Sequence, residues 1–161
     1  MGIIFLVSVV FSSDDNFFMQ RALSLAQLAA DQDEVPVGAV IVHQNKIIAE
    51  GFNQPISNSD ATGHAEIIAL RKAGEIIANY RLMDTTLYVS LEPCLMCAGA
   101  MVHARIKRLV FGAYDLKSGV IHSQLNALAL PFLNHRIETQ GGLMQVECGR
   151  MLSEFFRSKR G

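Results

Sequence analysis

The run Thr62-Gly63-His64-Ala65-Glu66 and, further along, Pro93-Cys94-Leu95-Met96-Cys97 put one imidazole, one spare carboxylate and two thiols into two short blocks. Any fold of this chain must bring the two blocks to one point, because His64, Cys94 and Cys97 together can hold one zinc ion, with its fourth position open to water. That open position separates a hydrolytic zinc centre from a structural one. Pro93 suits the first position of a helix, where its missing N–H costs nothing, so a helix is expected from Pro93 with Cys94 and Cys97 on one face of its opening turn. His64 is expected at the start of a second helix. Two helix N-termini then converge on the ion, and their partial positive charge favours the thiolate forms of the cysteines.

Glu66 is not needed to hold the metal and lies off the helical face of His64. Its value is proton transfer: it can take the proton of an activated water and redeliver it during attack on an amidine-like ring carbon, after which ammonia leaves. In a dry pocket its pKa should rise, which suits that shuttle. Two plainer readings compete. A structural zinc site needs a fourth protein ligand, and His103, His122, His135 and Cys148 stand at no close motif spacing to the others. A redox CxxC pair leaves His64 and Glu66 without a role.

Around these blocks the pattern alternates between helix and strand. Ser13, Asp14 and Asp15 precede an apolar stripe from Phe17 to Ala29, the mark of a first helix. Val35 to Val42 and Lys46 to Phe52 read as two strands joined at Gln44-Asn45. Further strands are expected at 86–90, 108–112 and 136–139, with helices from His64, over 94–104, weakly over 123–129 and over 143–157. The result is one sheet flanked by helices. The 161 residues, half of them hydrophobic, suit one domain over 14–160 with no linker. The apolar run within residues 1–13 has no Lys or Arg ahead of it and is too short to span a membrane, so it is read as an extension and not an export signal.

A net charge of -1 excludes a globally basic nucleic-acid binder and leaves any polyanion to be met by one face. The basic residues available are Arg71, Lys72, Arg105, Lys107, Arg108 and a tail cluster of Arg150, Arg157, Lys159 and Arg160. Phe155 and Phe156 are expected to pack, as is Cys148. Three cysteines, two of them in the CxxC pair, argue against a disulfide framework and suit a reducing, cytoplasmic setting.

The HxE and PCxxC blocks together match the signature of zinc-dependent nucleobase deaminases. With Glu34-Val35-Pro36-Val37-Gly38-Ala39, Leu87 to Met101, Val110-Phe111-Gly112-Ala113, Asn134-His135-Arg136 and the ending Glu147-Cys148 through Arg157, the chain resembles the bacterial tRNA-specific adenosine deaminases of the cytidine/deoxycytidylate deaminase superfamily. The resemblance runs from about Asp15 to Arg160. It implies a three-layer α/β/α fold, with one mixed sheet of about five strands, and a homodimer binding one zinc per subunit. The implied reaction is hydrolytic conversion of adenosine to inosine at the wobble position of a tRNA anticodon stem-loop. By position it implies His64, Cys94 and Cys97 as zinc ligands, Glu66 as proton shuttle, and Asn53 and the backbone N–H of Ala65 as contacts to a flipped-out base. A base must leave its stack to reach a buried metal, and a single-stranded loop makes that cheap.

The chain departs from the family pattern at Gln54, where an arginine is usual, over Ser118 to His122, and in its apolar leader. Two other functions use parts of the same signature: deamination of a free base or nucleoside such as guanine, cytosine or cytidine, and a zinc-stabilised RNA-binding domain without catalysis.

Overall fold

The computed structural model describes residues 10–161. Of the expected extension, residues 1–9 lie outside the described residues. The first helix, α1 (Ser13–Asp31), starts one residue before the anticipated Ser13 cap: Ser12 is the N-cap, its hydroxyl accepting the Asp15 N–H while Asp15 accepts the Ser12 N–H, each at 3.0 Å. Strands β1 (Gly38–His43) and β2 (Lys46–Phe52) form the expected hairpin, with Gln44 and Asn45 both at positive φ, 49° and 61°, as a tight two-residue turn requires. Residues 35–37, expected as strand, belong to the connection. Pro36 has no N–H to offer a ladder, and the Val37 N–H turns back on the Val35 carbonyl at 2.8 Å.

There follow α2 (Ala65–Ile77), β3 (Thr85–Leu91), α3 (Leu95–Ala104), β4 (Arg108–Ala113), β5 (Glu138–Gly141) and α4 (Gln145–Arg160). The helix anticipated over 123–129 is only a 3₁₀ turn at Ala127–Ala129. A helix there would turn the Ala127 N–H back on the Ser123 carbonyl, but it donates to the Val120 carbonyl at 2.8 Å, while the amides of Ile121, His122 and Ser123 are accepted by the carboxylate of Glu92. The last strand lies two residues beyond its expected place.

The five strands form one mixed sheet in the order β2-β1-β3-β4-β5; β1 runs antiparallel to β2 and β3, whereas β3, β4 and β5 are parallel. Alternation along the strands sorts two cores. Ala39, Ile41, Leu87, Val89, Leu109 and Phe111 face α2 and α3. Val40, Val42, Tyr88 and Val110 face α1 and the start of α4. This is the three-layer α/β/α architecture. Among the described residues no helix is long and apolar enough to cross a membrane.

Two details position the site. A Cβ on Gly51 of β2 would meet the Ala65 carbonyl at 2.5 Å and the Ala69 nitrogen at 2.9 Å, so the missing side chain lets the start of α2 lie directly on the sheet. On the other face, Asp15 is buried and accepts bonds from Tyr88 Oη at 2.7 Å and from both terminal nitrogens of Arg108, at 2.8 and 3.1 Å. These contacts tie α1 to the two central strands. Arg108 is therefore committed to the fold and drops out of the basic residues offered to a polyanion.

Candidate active site

Parallel strands with a helix after β3 place the connection between them at the carboxyl end of the sheet, where open α/β sheets bind ligands. Cys94 occupies the N-cap of α3, with extended φ -80° and ψ 174°, and Cys97 lies three residues on. Pro93 thus stands just outside the helix, before its N-cap, and not at its first position, a correction of two residues. His64 is the N-cap of α2, with φ -74° and ψ 151°. The two helix starts converge as anticipated.

The ligand atoms of His64, Cys94 and Cys97 all lie within 4.8 Å of one another. The Nδ1 of His64 is 3.5 Å from Cys94 Sγ and 3.6 Å from Cys97 Sγ. For a tetrahedral zinc with sulfur at about 2.3 Å and nitrogen at about 2.0–2.1 Å, an N and an S ligand stand about 3.6 Å apart. The donor set therefore fits zinc in both chemistry and spacing. Among the described residues no fourth His, Cys, Asp or Glu joins this group. His135 Nε2 is 2.7 Å from the Ile106 carbonyl, the His122 ring lies against Tyr114, and Cys148 is buried with the core on the other face of the sheet.

The thiols behave as a coupled pair. Cys94 is held down to about 4, first by its hydrogen bond with Cys97 and then, against burial, by His64. The same Cys94–Cys97 bond, with burial, pushes Cys97 well up. A bound metal would require both sulfurs as thiolates and would displace their protons. His64 is raised, first by its bond with Cys94.

Glu66, in the first turn of α2, is 4 % exposed. Burial pushes its carboxyl above the ordinary range, opposed by hydrogen bonds from its own N–H and from Cys97. A carboxyl so placed holds a proton more readily than a solvated one, which suits a group that must take one from water.

Asn53 and Ala65 are brought together in a way the sequence did not suggest. His64 makes no side-chain cap to α2, and Asn53 Oδ1 accepts the Ala65 N–H at 2.8 Å in its place. The Ala65 N–H is consequently spent inside the protein and is not available to a base. The Asn53 amide nitrogen has no partner among the described residues and is the group left to meet one.

The tail residues Arg150, Arg157, Lys159 and Arg160 of α4 are all exposed. Lys159 reaches Asp33 at 2.7 Å, and the next residue, buried Glu34, accepts the amides of Ile56 and Ser57 at 3.2 and 2.8 Å. The end of α4 is in this way linked to the loop that follows Asn53. Phe155 and Phe156 pack edge to face at 5.5 Å, with Phe156 partly exposed.

A family model described as MafB19-like deaminase matches residues 13–160. The tRNA-specific adenosine deaminase of Haemophilus influenzae is 51% identical over 150 residues, covering 92% of this chain and 87% of that protein. The chain belongs to the tRNA-specific adenosine deaminase family. A solved structure from a study of A-to-I editing by tRNA:A34 deaminases at the wobble position of transfer RNA superposes with a TM-score of 0.82 at 41% identity, covering 84% of this chain and 99% of that one. A guanine deaminase from Bacillus subtilis is 40% identical, but over only 65% of this chain and 66% of its own, with a TM-score of 0.60. Full-length agreement thus favours the tRNA enzymes over the free-base enzyme of the same fold.

The buried carboxylates Glu92 and Glu34 had no functional signal in the sequence beyond their places beside Pro93 and at the start of the Glu34-to-Ala39 block. Both act on backbone amides, which no side-chain motif reports.

Proposed function

We propose that this chain catalyses the hydrolytic deamination of adenosine to inosine at the wobble position of a tRNA anticodon, with one zinc per subunit held by His64, Cys94 and Cys97. The observation that carries the reading is the triangle of one imidazole nitrogen and two sulfurs at zinc spacing with buried Glu66 beside it. When bound, zinc acts as a Lewis acid that makes water a nucleophile near neutral pH.

The remaining work falls to side chains. Glu66 takes the proton of the attacking water, passes it to the ring nitrogen of adenine and assists departure of the amino group as ammonia. Its dry setting raises its affinity for the proton it takes from water. The free amide N–H of Asn53 orients the extruded base while its oxygen holds the start of α2. Arg150, Arg157, Lys159 and Arg160 offer the stem-loop phosphates a basic edge, and the Lys159–Asp33 link sets that edge beside the 54–60 loop. Catalysis resides in a single domain over 14–160, which acts in the cytoplasm as a homodimer.

The test is direct. Purified zinc-loaded protein is incubated with a wobble-adenosine anticodon stem-loop and, separately, with guanine, cytosine, cytidine and adenosine, and the products are resolved by mass spectrometry. Inosine in the stem-loop alone supports the reading. Turnover of a free base or nucleoside without the stem-loop replaces it with the free-base enzyme, and no turnover of any substrate replaces it with the zinc-stabilised binding domain.

A further inference from the structure

Two residues before Cys94, Glu92 is 2 % exposed and has no cationic partner within ion-pair distance among the described residues. Its carboxylate is instead surrounded by amides of one loop. Oε2 accepts the N–H groups of Ile121, His122 and Ser123 at 3.1, 2.8 and 2.9 Å, and Oε1 accepts that of Asp115 at 3.1 Å and the Ser123 hydroxyl. A buried anion is costly unless its lone pairs are filled, and here the loop between β4 and the 3₁₀ turn fills them.

The loop is fitted to this task. A Cβ on Gly119 would meet Glu92 Oε1 and the Asp115 carbonyl, each at 2.6 Å, so only a bare backbone lets the loop close over the carboxylate. The Val120 N–H then donates to the Pro93 carbonyl at 3.1 Å, and Val120 and Ile121 enter the same core as Cys97. Leu116, Lys117 and Ser118 are left exposed at the carboxyl end of β4, next to the helix start that carries Cys94.

We infer that Glu92 is a positioning residue for the reaction, fixing the 115–123 loop as the wall of the substrate site next to the metal ligands. The inference rests on the functional reading above. The hold is made almost wholly through backbone amides, and this explains why the side-chain departures over Ser118 to His122 leave the loop's anchorage intact. No group of the loop bonds to Glu66 or His64, so releasing it acts on substrate binding and leaves the proton-transfer group in place.

The test compares wild type with Glu92→Gln, which keeps the size but puts an NH₂ where amides donate. In the zinc-loaded variant one zinc per chain is retained, exchange of the Ile121, His122 and Ser123 amides accelerates by about 100-fold, and kcat/KM on the stem-loop falls by about 10-fold or more, chiefly through KM. Unchanged amide exchange overturns the inference, as does free exchange with kcat/KM within twofold of wild type. A loss carried by kcat together with zinc reduces Glu92 to a structural role and also overturns it. Should Glu92→Gln fail to fold, Ser123→Ala removes a single bond from the same carboxylate: a KM rise of about threefold with faster Ser123 exchange supports the inference, and no change in either refutes it. Failure of the wild type to form inosine counts against the functional reading, while the exchange comparison still decides whether Glu92 holds the loop.

Discussion

The proposed mechanism gives the two ends of the Asn53 amide different tasks, and substitution can separate them. Its Oδ1 is the acceptor for the Ala65 N–H, a fully buried donor in the first turn of α2 where no intrahelical partner exists. Asn53→Ala strands that donor at a cost of about 1–3 kcal/mol. In a domain of this length that lowers the melting temperature by about 2 to 10 °C. Asn53→Asp keeps the acceptor and adds charge of the sign that a helix N-terminus favours, so its melting temperature should fall by less than half as much. Both variants lose the free N–H donor, and both should lose kcat/KM on the stem-loop by about 10- to 100-fold, the worth of one well-placed hydrogen bond. Thermal melts and steady-state inosine formation on the three proteins provide the comparison. An aspartate variant that melts as low as the alanine variant refutes the capping role. One that retains full kcat/KM refutes the base contact.

Glu66→Gln should retain zinc and the fold but lose kcat by about 10²- to 10⁴-fold, measured on the stem-loop at saturating substrate; an active variant removes Glu66 from proton transfer. Cys94→Ala should bind less than one zinc per chain by elemental analysis and unfold at lower temperature, and full occupancy would contradict the ligand assignment. Asp15→Ala leaves half-buried Arg108 without its partner and breaks the cap of α1, for a loss of about 3–5 kcal/mol in denaturant unfolding with the metal site intact. Burial pushes the Asp15 carboxyl up, but hydrogen bonds from Arg108 and Tyr88 outweigh it and hold the group well below the usual carboxylate range. Its contribution is therefore complete above the unfolded value of about 3.9 and is lost as pH falls below it. Wild type should lose stability more steeply than Asp15→Ala below about pH 4; parallel acid profiles would contradict this.

The His64, Cys94 and Cys97 cluster was legible because thiol and imidazole chemistry is carried by side chains at short spacing, and the strands because their apolar residues alternate between two buried faces. What stayed hidden was carried by the backbone. Nothing in the residue types around Ser123 tells that three amides there are claimed by a distant carboxylate, so a helix was expected where a clamped loop exists. Pro93 was compatible with either side of a helix boundary, and only the extended backbone of Cys94 decides between them. Arg108 looked like surface charge, because its partner Asp15 comes from a helix far away in the chain. The Ala65 N–H was anticipated as a base contact; it is used by Asn53, since a metal-ligating histidine at the N-cap cannot also cap its own helix.

The account depends most on an ion held by three protein atoms and one solvent position, and X-ray absorption at the zinc edge of the purified enzyme measures that shell. It should show two sulfurs at about 2.3 Å and two nitrogen or oxygen atoms at about 2.0–2.1 Å, one a histidine nitrogen and the other a solvent oxygen. A third sulfur, or a second histidine in place of the solvent oxygen, would mean a closed structural site and would contradict hydrolysis there.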